Sequence, residues 1–302
     1  MISNLKALII THKTTIILLS LLILLVGGGW SLYRNYQVSS QANITEVDLN
    51  FDAEGPYALL LPRRDGNALQ LNLKRTSSYD EITYELAYTS RVDETTVGGK
   101  APPPTDEGGV STGTIDRGVV GKIDTSEKKG EYQQEILFGT CSKNVCKYDK
   151  GVENGTLTLR IRKGAKAYRM VTTWHLQQPD VVLGNLISGD GHFNYEIKAA
   201  RADLSLIGHT IINDLTGLPK LPEEKQVLGK VYAVNVPLAK ELLPGTLTLE
   251  LAENPPAEAK IYHFNEGENK WLELDTKISG SKLTTTASGA GIFAVLNTRR
   301  VK

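Results

Sequence analysis

Cysteine and methionine are scarce in this chain of 302 residues, which contains two of each, and its formal net charge is zero. Two cysteines cannot supply a four-ligand zinc site, and no partner pair accompanies them. Lysines plus arginines equal aspartates plus glutamates, at 34 each. A balanced chain gives no electrostatic basis for binding nucleic acid. The composition therefore predicts no metal, no cofactor and no nucleic-acid partner.

Histidine pairs and the common catalytic motifs are also missing. Four histidines follow the N-terminal region without an H-x-H or H-x-x-x-H spacing: His175, His192, His209 and His263. No G-x-S-x-G elbow, Walker loop or dinucleotide-binding fingerprint occurs. We therefore expect a protein without a catalytic constellation.

One long apolar run is present, from Thr14 to Tyr33, and it contains no charged side chain. About 20 helical residues span roughly 30 Å, the thickness of the hydrocarbon core of a bilayer. The run predicts a transmembrane helix over residues 14–33 that contacts the lipid bilayer. The residues expected to anchor it are Thr14, Ile16, Leu19, Leu22, Leu25, Val26, Trp30 and Tyr33.

The flanking charges predict the orientation of this helix. Lys6 and Lys13 precede the run and Arg34 follows it, and positive charge favours the cytoplasmic side. The alternative is a cleavable signal peptide, since residues 27–29 are three glycines that follow a short apolar core. Trp30 and Tyr33 instead favour an uncleaved anchor, because aromatic side chains are typical of the membrane interface. Either interpretation places the remaining chain outside the cytoplasm.

From residue 45 onward, the dominant hydrophobic period is two. Ile82, Tyr84, Leu86 and Tyr88 alternate with polar residues, as a half-buried strand requires. Such segments recur every 8–12 residues between glycine-rich turns, which is typical of antiparallel sandwiches. We predict an all-β fold after the helix, with two antiparallel immunoglobulin-like β-sandwich domains. The predicted segments are a cytoplasmic N-terminus (1–13), the transmembrane helix (14–33), a juxtamembrane linker (34–44), a first sandwich with a cysteine hairpin (45–178) and a second sandwich (179–302).

The two cysteines, Cys141 and Cys146, flank a four-residue turn. In an oxidising compartment this spacing predicts a disulfide across a hairpin. An alternative is a reactive thiol, because residues 137–141 resemble the strand that carries the sortase nucleophile. Sortases need a histidine before the cysteine and an arginine after it. Arg160 and Arg162 follow, but the only earlier histidine is His12, on the wrong side of the predicted membrane.

A short acidic pattern has two interpretations. Asp48, Asn50, Asp52 and Glu54 are spaced like the first ligands of a calcium loop, but Ala53 occupies the position of the turn glycine. The polar residues also alternate with apolar ones, so we interpret them as the solvent-exposed face of a strand.

Two stretches resemble known families. Residues 135–148 and 151–159 contain LFGTCSKNVCKY…GVENGTLTL, which is similar to the pattern LGTCS-x-x-x-C-x-Y…GV-x-x-G-x-L-x-L. They resemble a cysteine-hairpin β module of uncharacterised single-pass bacterial envelope proteins. Residues 243–246, 260–264, 271–274 and 291–295 are similar to ZU5-like β-sandwich domains of bacterial surface proteins. The resemblance implies an envelope location and a β fold, and it transfers no functional residue.

These patterns together predict a single-pass cell-membrane protein whose bulk is extracytoplasmic. Its β-sandwich modules would be non-catalytic and would bind or space an envelope polymer or a surface protein. The alternative is a carbohydrate- or polymer-binding module that serves a partner enzyme. That alternative predicts an exposed aromatic row drawn from Tyr84, Tyr88, Tyr168 and Tyr232.

Overall fold

The computed structural model describes most of the chain from residue 46 onward. The described residues are 46–48, 55–76, 79–91, 113–127, 129–143, 145–178, 184–199, 208–238 and 240–299. They form strands and turns without a helix, which confirms the all-β prediction. Residues 14–33, with the predicted anchor positions, lie outside the described residues. Within the described ranges, no helix has the length and apolar character that crossing a bilayer requires.

Twenty strands make up the described fold. In chain order they are β1 (Glu46–Asp48), β2 (Tyr57–Pro62), β3 (Ala68–Lys74), β4 (Glu81–Arg91), β5 (Thr114–Ile123), β6 (Glu131–Leu137), β7 (Gly139–Ser142), β8 (Val145–Tyr148), β9 (Asn154–Lys163), β10 (Lys166–Gln177), β11 (Asn185–Ile187), β12 (Phe193–Ile197), β13 (His209–Asn213), β14 (Lys225–Asn235), β15 (Gly245–Glu250), β16 (Lys260–Asn265), β17 (Lys270–Glu273), β18 (Lys277–Ser279), β19 (Lys282–Ala287) and β20 (Gly291–Thr298).

The strands form four sheets. The large sheet has ten strands in the order β17-β16-β20-β14-β13-β10-β9-β4-β5, and β1 pairs with β10. A five-stranded sheet has the order β11-β12-β15-β19-β18, a three-stranded sheet the order β2-β3-β6, and β7 and β8 form a hairpin. The β1–β10 pair is parallel, and the other pairs are antiparallel.

The alternation predicted for β4 is confirmed. Ile82, Tyr84, Leu86 and Tyr88 are buried, while the residues between them are partly exposed. A tight connection joins β2 and β3 at Asp65-Gly66, a dipeptide typical of hairpin turns: Gly66 takes a positive φ of 69°, and its N–H donates to the Arg63 carbonyl at 2.8 Å. Period two and turn glycines were therefore reliable signals here.

The large sheet is buried on both faces where β13, β14, β16 and β20 meet. One face packs on the three-stranded sheet and buries Ile292 and Ala294 in a first core. The opposite face packs on the five-stranded sheet and buries Phe293 and Val295 in a second core. This two-sided burial explains why β20 is apolar at successive positions instead of alternating. The face-to-face packing of antiparallel sheets makes the fold sandwich-like.

Strands from both sides of the predicted boundary at residue 178 share the large sheet. β10 pairs with β13, with Trp174 opposite Ile212 and Leu176 opposite Thr210. The division into two immunoglobulin-like domains stays a prediction. The pairing does place side chains from the two halves of the chain side by side, and one cleft is built from them.

Candidate functional site

An open cleft of about 490 Å³, which we call the outer-face cleft, lies on the face of the large sheet that carries the second core. Its floor comes from β4, β9 and β10. Ala87 lies opposite Thr156, and Thr156 lies opposite Thr173, so these side chains share a face. The turn between β11 and β12 contributes Gly189 and Asp190 to the wall. The cleft therefore lies at the border where the five-stranded sheet ends and the large sheet is no longer covered.

Two asparagine amides are held in place at this cleft. The Oδ1 of Asn154 accepts a hydrogen bond from the Nδ1–H of His175 at 2.8 Å. The Nδ2 of Asn213 donates to the Oγ1 of Thr173 at 2.6 Å. Burial lowers the pKa of His175 below its ordinary value of 6.5, so this imidazole is neutral at pH 7. Both amides keep further hydrogen-bonding capacity for a ligand.

Three other polar side chains of the outer-face cleft have no partner among the described residues. Thr89, Asp116 and Thr156 line it and make no side-chain hydrogen bond or ion pair there. Thr89 and Asp116 lie directly opposite each other on β4 and β5. Hydroxyl, amide and carboxylate groups thus converge on one open surface. This set suits a ligand that both donates and accepts hydrogen bonds.

The wall of the cleft is fixed by the Asp190 carboxylate. It accepts hydrogen bonds from the Ser188 hydroxyl at 2.5 Å, the Lys230 ammonium at 2.9 Å and the Tyr232 hydroxyl at 3.3 Å. Burial opposes ionisation of Asp190, but the bonds from Ser188 and Lys230 outweigh it and lower the pKa below its ordinary value. The carboxylate therefore ties the β11–β12 turn to β14 and holds the wall in position.

Gly155 is required at the floor of the cleft. A Cβ atom built there would lie 2.2 Å from the Ala87 carbonyl oxygen and 2.3 Å from Cζ2 of Trp174. Glycine alone therefore allows β9 to pack this closely against β4 and Trp174.

The predicted disulfide is confirmed. Cys141 and Cys146 lie opposite each other on β7 and β8, with a Cα–Cα distance of 4.0 Å and an S–S distance of 2.00 Å. Both residues are exposed. The turn places Lys143 at a positive φ of 48°. The disulfide thus joins the two strands of a short, solvent-exposed hairpin and lies outside both cores.

The sortase-like interpretation loses its nucleophile, because Cys141 is bonded to Cys146. The two arginines considered for that role face carboxylates instead. Arg160 lies 3.3 Å from Glu85, and Arg162 lies 3.3 Å from Glu81. These pairs are cross-strand contacts at the sheet surface.

The aromatic side chains do not form the predicted exposed row. Tyr84, Tyr88 and Tyr232 are only 7%, 5% and 3% exposed, and Tyr168 packs partly buried against the first core. Their positions on strands β4, β10 and β14 turn the rings toward the two cores, and a sequence pattern does not show which face of a strand another sheet covers. The prediction that these rings form an exposed stacking platform is therefore wrong.

The residues weighed as possible metal ligands in the sequence are used for packing and ion pairing where the structure describes them. Asp48 forms two contacts with Arg169, at 2.7 and 3.1 Å, while Asn50, Asp52 and Glu54 lie outside the described residues. His263 stacks on Phe293 with a centroid distance of 4.4 Å. In the described part of the chain, no group of three or more histidine, cysteine or acidic side chains is placed to hold a metal ion.

Sequence reasoning missed the outer-face cleft. Its residues come from five strands and one turn, and their proximity depends on a strand order that no local pattern encodes. One available signal was the short Gly189-Asp190-Gly191 turn, since a carboxylate between two glycines projects from a tight connection. A second was Asn154-Gly155 at the start of β9.

The chain matches no protein-family model and no curated protein sequence. The class of the protein is therefore described from its fold and its clefts alone. It is an all-β protein with a polar cleft at a sheet step and an external disulfide hairpin.

Proposed function

We propose that this chain is a membrane-anchored cell-envelope protein whose β-sheets lie outside the cytoplasm and bind or space a partner without performing chemistry. The lipid bilayer is the first partner, through the helix predicted over residues 14–33. The second is an envelope polymer or a surface protein held by the sheets. The resemblance to single-pass envelope proteins with a cysteine hairpin agrees with this proposal.

The observation that carries the location is the exposed disulfide. Cys141 and Cys146 are the chain's two cysteines, and they are bonded at the surface of a short hairpin. Exposed bridges are rapidly reduced in a reducing cytosol and persist in oxidising compartments. The apolar run and its preceding lysines, Lys6 and Lys13, support the same sidedness.

The state of the two cysteines in the cell tests this location. Cells are treated with a membrane-permeant alkylating reagent before lysis, and the intact mass of the purified full chain is measured. The proposal expects no alkylation of Cys141 or Cys146 without reductant, and a mass that includes residues 1–33. Two alkylated cysteines in freshly treated cells would contradict the extracytoplasmic location.

The observation that carries a binding role is the outer-face cleft, where Thr89, Asp116 and Thr156 present polar atoms that no described residue pairs with, beside two fixed amides. Hydroxyl, amide and carboxylate groups are those that hydrogen-bond the hydroxyls of a sugar. A carbohydrate- or polymer-binding module is therefore the second candidate function. It would work through hydrogen bonds, since the tyrosines proposed for stacking are buried.

A glycan array probed with the full chain in detergent tests the second candidate. The matched variants are Asp116→Asn, which alters an exposed carboxylate that lines the cleft, and Glu196→Gln, which removes an exposed carboxylate on β12 outside the cleft lining. The candidate expects binding to at least one neutral glycan that Asp116→Asn weakens and Glu196→Gln leaves unchanged. An array without any bound glycan would contradict it.

A further inference from the structure

A second cleft, of about 320 Å³, lies between the disulfide hairpin and the edge of the large sheet. We call it the basic cleft. Its charged lining residues are four cations and one carboxylate, namely Arg91, Arg117, Lys147, Lys150 and Asp149. The chain as a whole has no net charge, so this concentration of positive charge is local.

Two of these cations belong to residues that lie opposite each other across a backbone bridge. Arg91, the last residue of β4, forms an antiparallel bridge with Lys150, and the Arg91 N–H donates to the Lys150 carbonyl at 2.8 Å. Like charges directly opposite each other destabilise a pair of strands. Neither side chain forms an ion pair with a described residue, and both are exposed. Among the described residues, this arrangement of two like charges therefore has no ion-pair partner.

The single carboxylate is already engaged. The Oδ2 of Asp149 accepts a hydrogen bond from the Tyr88 hydroxyl at 2.9 Å, and its Oδ1 lies 3.6 Å from the Arg117 guanidinium. Asp149 thus pairs with Arg117, and no carboxylate of the described residues pairs with Arg91 or Lys150. A bound anion would supply a counter-charge for these two side chains.

We propose that the basic cleft binds a phosphate group. Phosphate carries several acceptor oxygens and more than one negative charge, which suits a guanidinium fork and an ammonium group on two residues that face each other at one cleft. The inference goes beyond the proposed function, because the cleft would bind phosphate on whichever side of the membrane the sheets lie. Phosphate could be presented by a soluble or polymeric phosphate or by a lipid headgroup.

Titration of the full chain in an uncharged maltoside detergent tests the proposal. The probes are inorganic phosphate, a linear polyphosphate and mixed micelles that contain either phosphatidylglycerol or phosphatidylcholine. The test variant is Arg91→Gln with Lys150→Gln. The matched control is Lys166→Gln with Lys277→Gln, which removes two exposed cations outside the basic cleft.

We expect saturable binding of at least one phosphate-bearing probe, weakened by rising salt because exposed charges are screened. The test variant should bind roughly tenfold more weakly, and the control should bind like the parent. Binding of polyphosphate alone assigns a soluble or polymeric phosphate as the ligand, and binding of phosphatidylglycerol micelles alone assigns a headgroup. No saturable binding to any probe, or equal weakening by test and control variants, would overturn the proposal.

A charge reversal separates binding from folding. Lys150→Glu places a carboxylate opposite Arg91, which turns a repulsive pair into an attractive one. We expect the melting temperature to rise or stay constant while phosphate affinity falls by more than in the Lys150→Gln variant. Unchanged affinity in a folded Lys150→Glu protein would contradict the assignment of the basic cleft.

Discussion

The Lys230 ammonium donates a hydrogen bond to the Asp190 carboxylate at 2.9 Å, and this contact joins a turn of the five-stranded sheet to a strand of the large sheet. Ser188 and Tyr232 add their hydroxyls to the same carboxylate. The wall of the outer-face cleft thus depends on one partly buried charge with several donors, which makes Asp190 the most informative position for mutation.

We expect Asp190→Asn to lower the free energy of unfolding by about 1–3 kcal/mol, because a charged acceptor with several donors is lost. The matched control is Glu250→Gln, which removes a carboxylate 3.6 Å from Lys282 in an exposed pair. Exposed pairs contribute about 0–1 kcal/mol. Urea unfolding of both variants checks the difference, and equal effects would mean that the Asp190 cluster does not hold the turn.

The same cluster predicts a pH dependence. The pKa of Asp190 in the folded protein is lower than its ordinary value of 3.8. The folded state therefore binds this proton less readily than the unfolded state, and the stabilisation is present above pH 3.8 and lost as the pH falls through the lower folded pKa. The stability gap between the parent and Asp190→Asn should narrow at acidic pH. A gap that is constant from pH 6 to about pH 2 would contradict this mechanism.

Gly155→Ala should destabilise the fold. The added Cβ would meet the Ala87 carbonyl oxygen at 2.2 Å and the Trp174 ring at 2.3 Å. Overpacking of this kind costs about 1–3 kcal/mol. Gly130→Ala is the control, because a Cβ there meets nothing within 4 Å. Denaturant unfolding should separate the two variants, and an unaffected Gly155→Ala protein would show that β9 can move away from β4.

Reduction of the disulfide should cost about 2 kcal/mol of stability, since a short loop restricts the unfolded chain only modestly. The hairpin lies outside both cores, so the reduced protein should keep its sheets. Unfolding with and without reductant measures the cost, and a Cys141→Ser and Cys146→Ser double variant should not respond to reductant. Loss of the whole fold on reduction would contradict this prediction, because it would show that the sheets depend on the disulfide.

His263 should make the fold sensitive to mild acid. Burial lowers its pKa below the ordinary 6.5, although a hydrogen bond to the Ala290 carbonyl opposes this effect. The unfolded chain therefore takes up the proton first, and stability should fall as the pH drops below 6.5. His263→Phe, which keeps a ring against Phe293, should flatten this part of the pH profile. An unchanged slope would exclude His263 as its source.

Local patterns were sufficient for most of the strands. The alternation of Ile82, Tyr84, Leu86 and Tyr88 with polar residues predicted a half-buried strand, and β4 is one. β13 was missed, because His209–Asn213 is short and buried along its whole length, so it shows no alternation.

The two clefts could not be predicted for a different reason. Asp116, Asn154 and Asn213 meet only because β5, β4, β9, β10 and β13 are neighbours in one sheet, and strand order is a property of the whole chain. The cysteine hairpin, in contrast, was predictable since both partners lie within six residues of each other. The expected tyrosine row was wrong because burial of a ring depends on which sheet covers its strand face, and this also depends on the strand order.

The central claim is that the sheets lie outside the cytoplasm, and labelling of one surface position in living cells tests it most directly. A Lys166→Cys variant, in a background carrying Cys141→Ser and Cys146→Ser, places a single thiol at an exposed site at the start of β10. The account predicts that a membrane-impermeant maleimide labels this thiol in intact cells, at the level reached after lysis. Labelling that occurs only after lysis would contradict it.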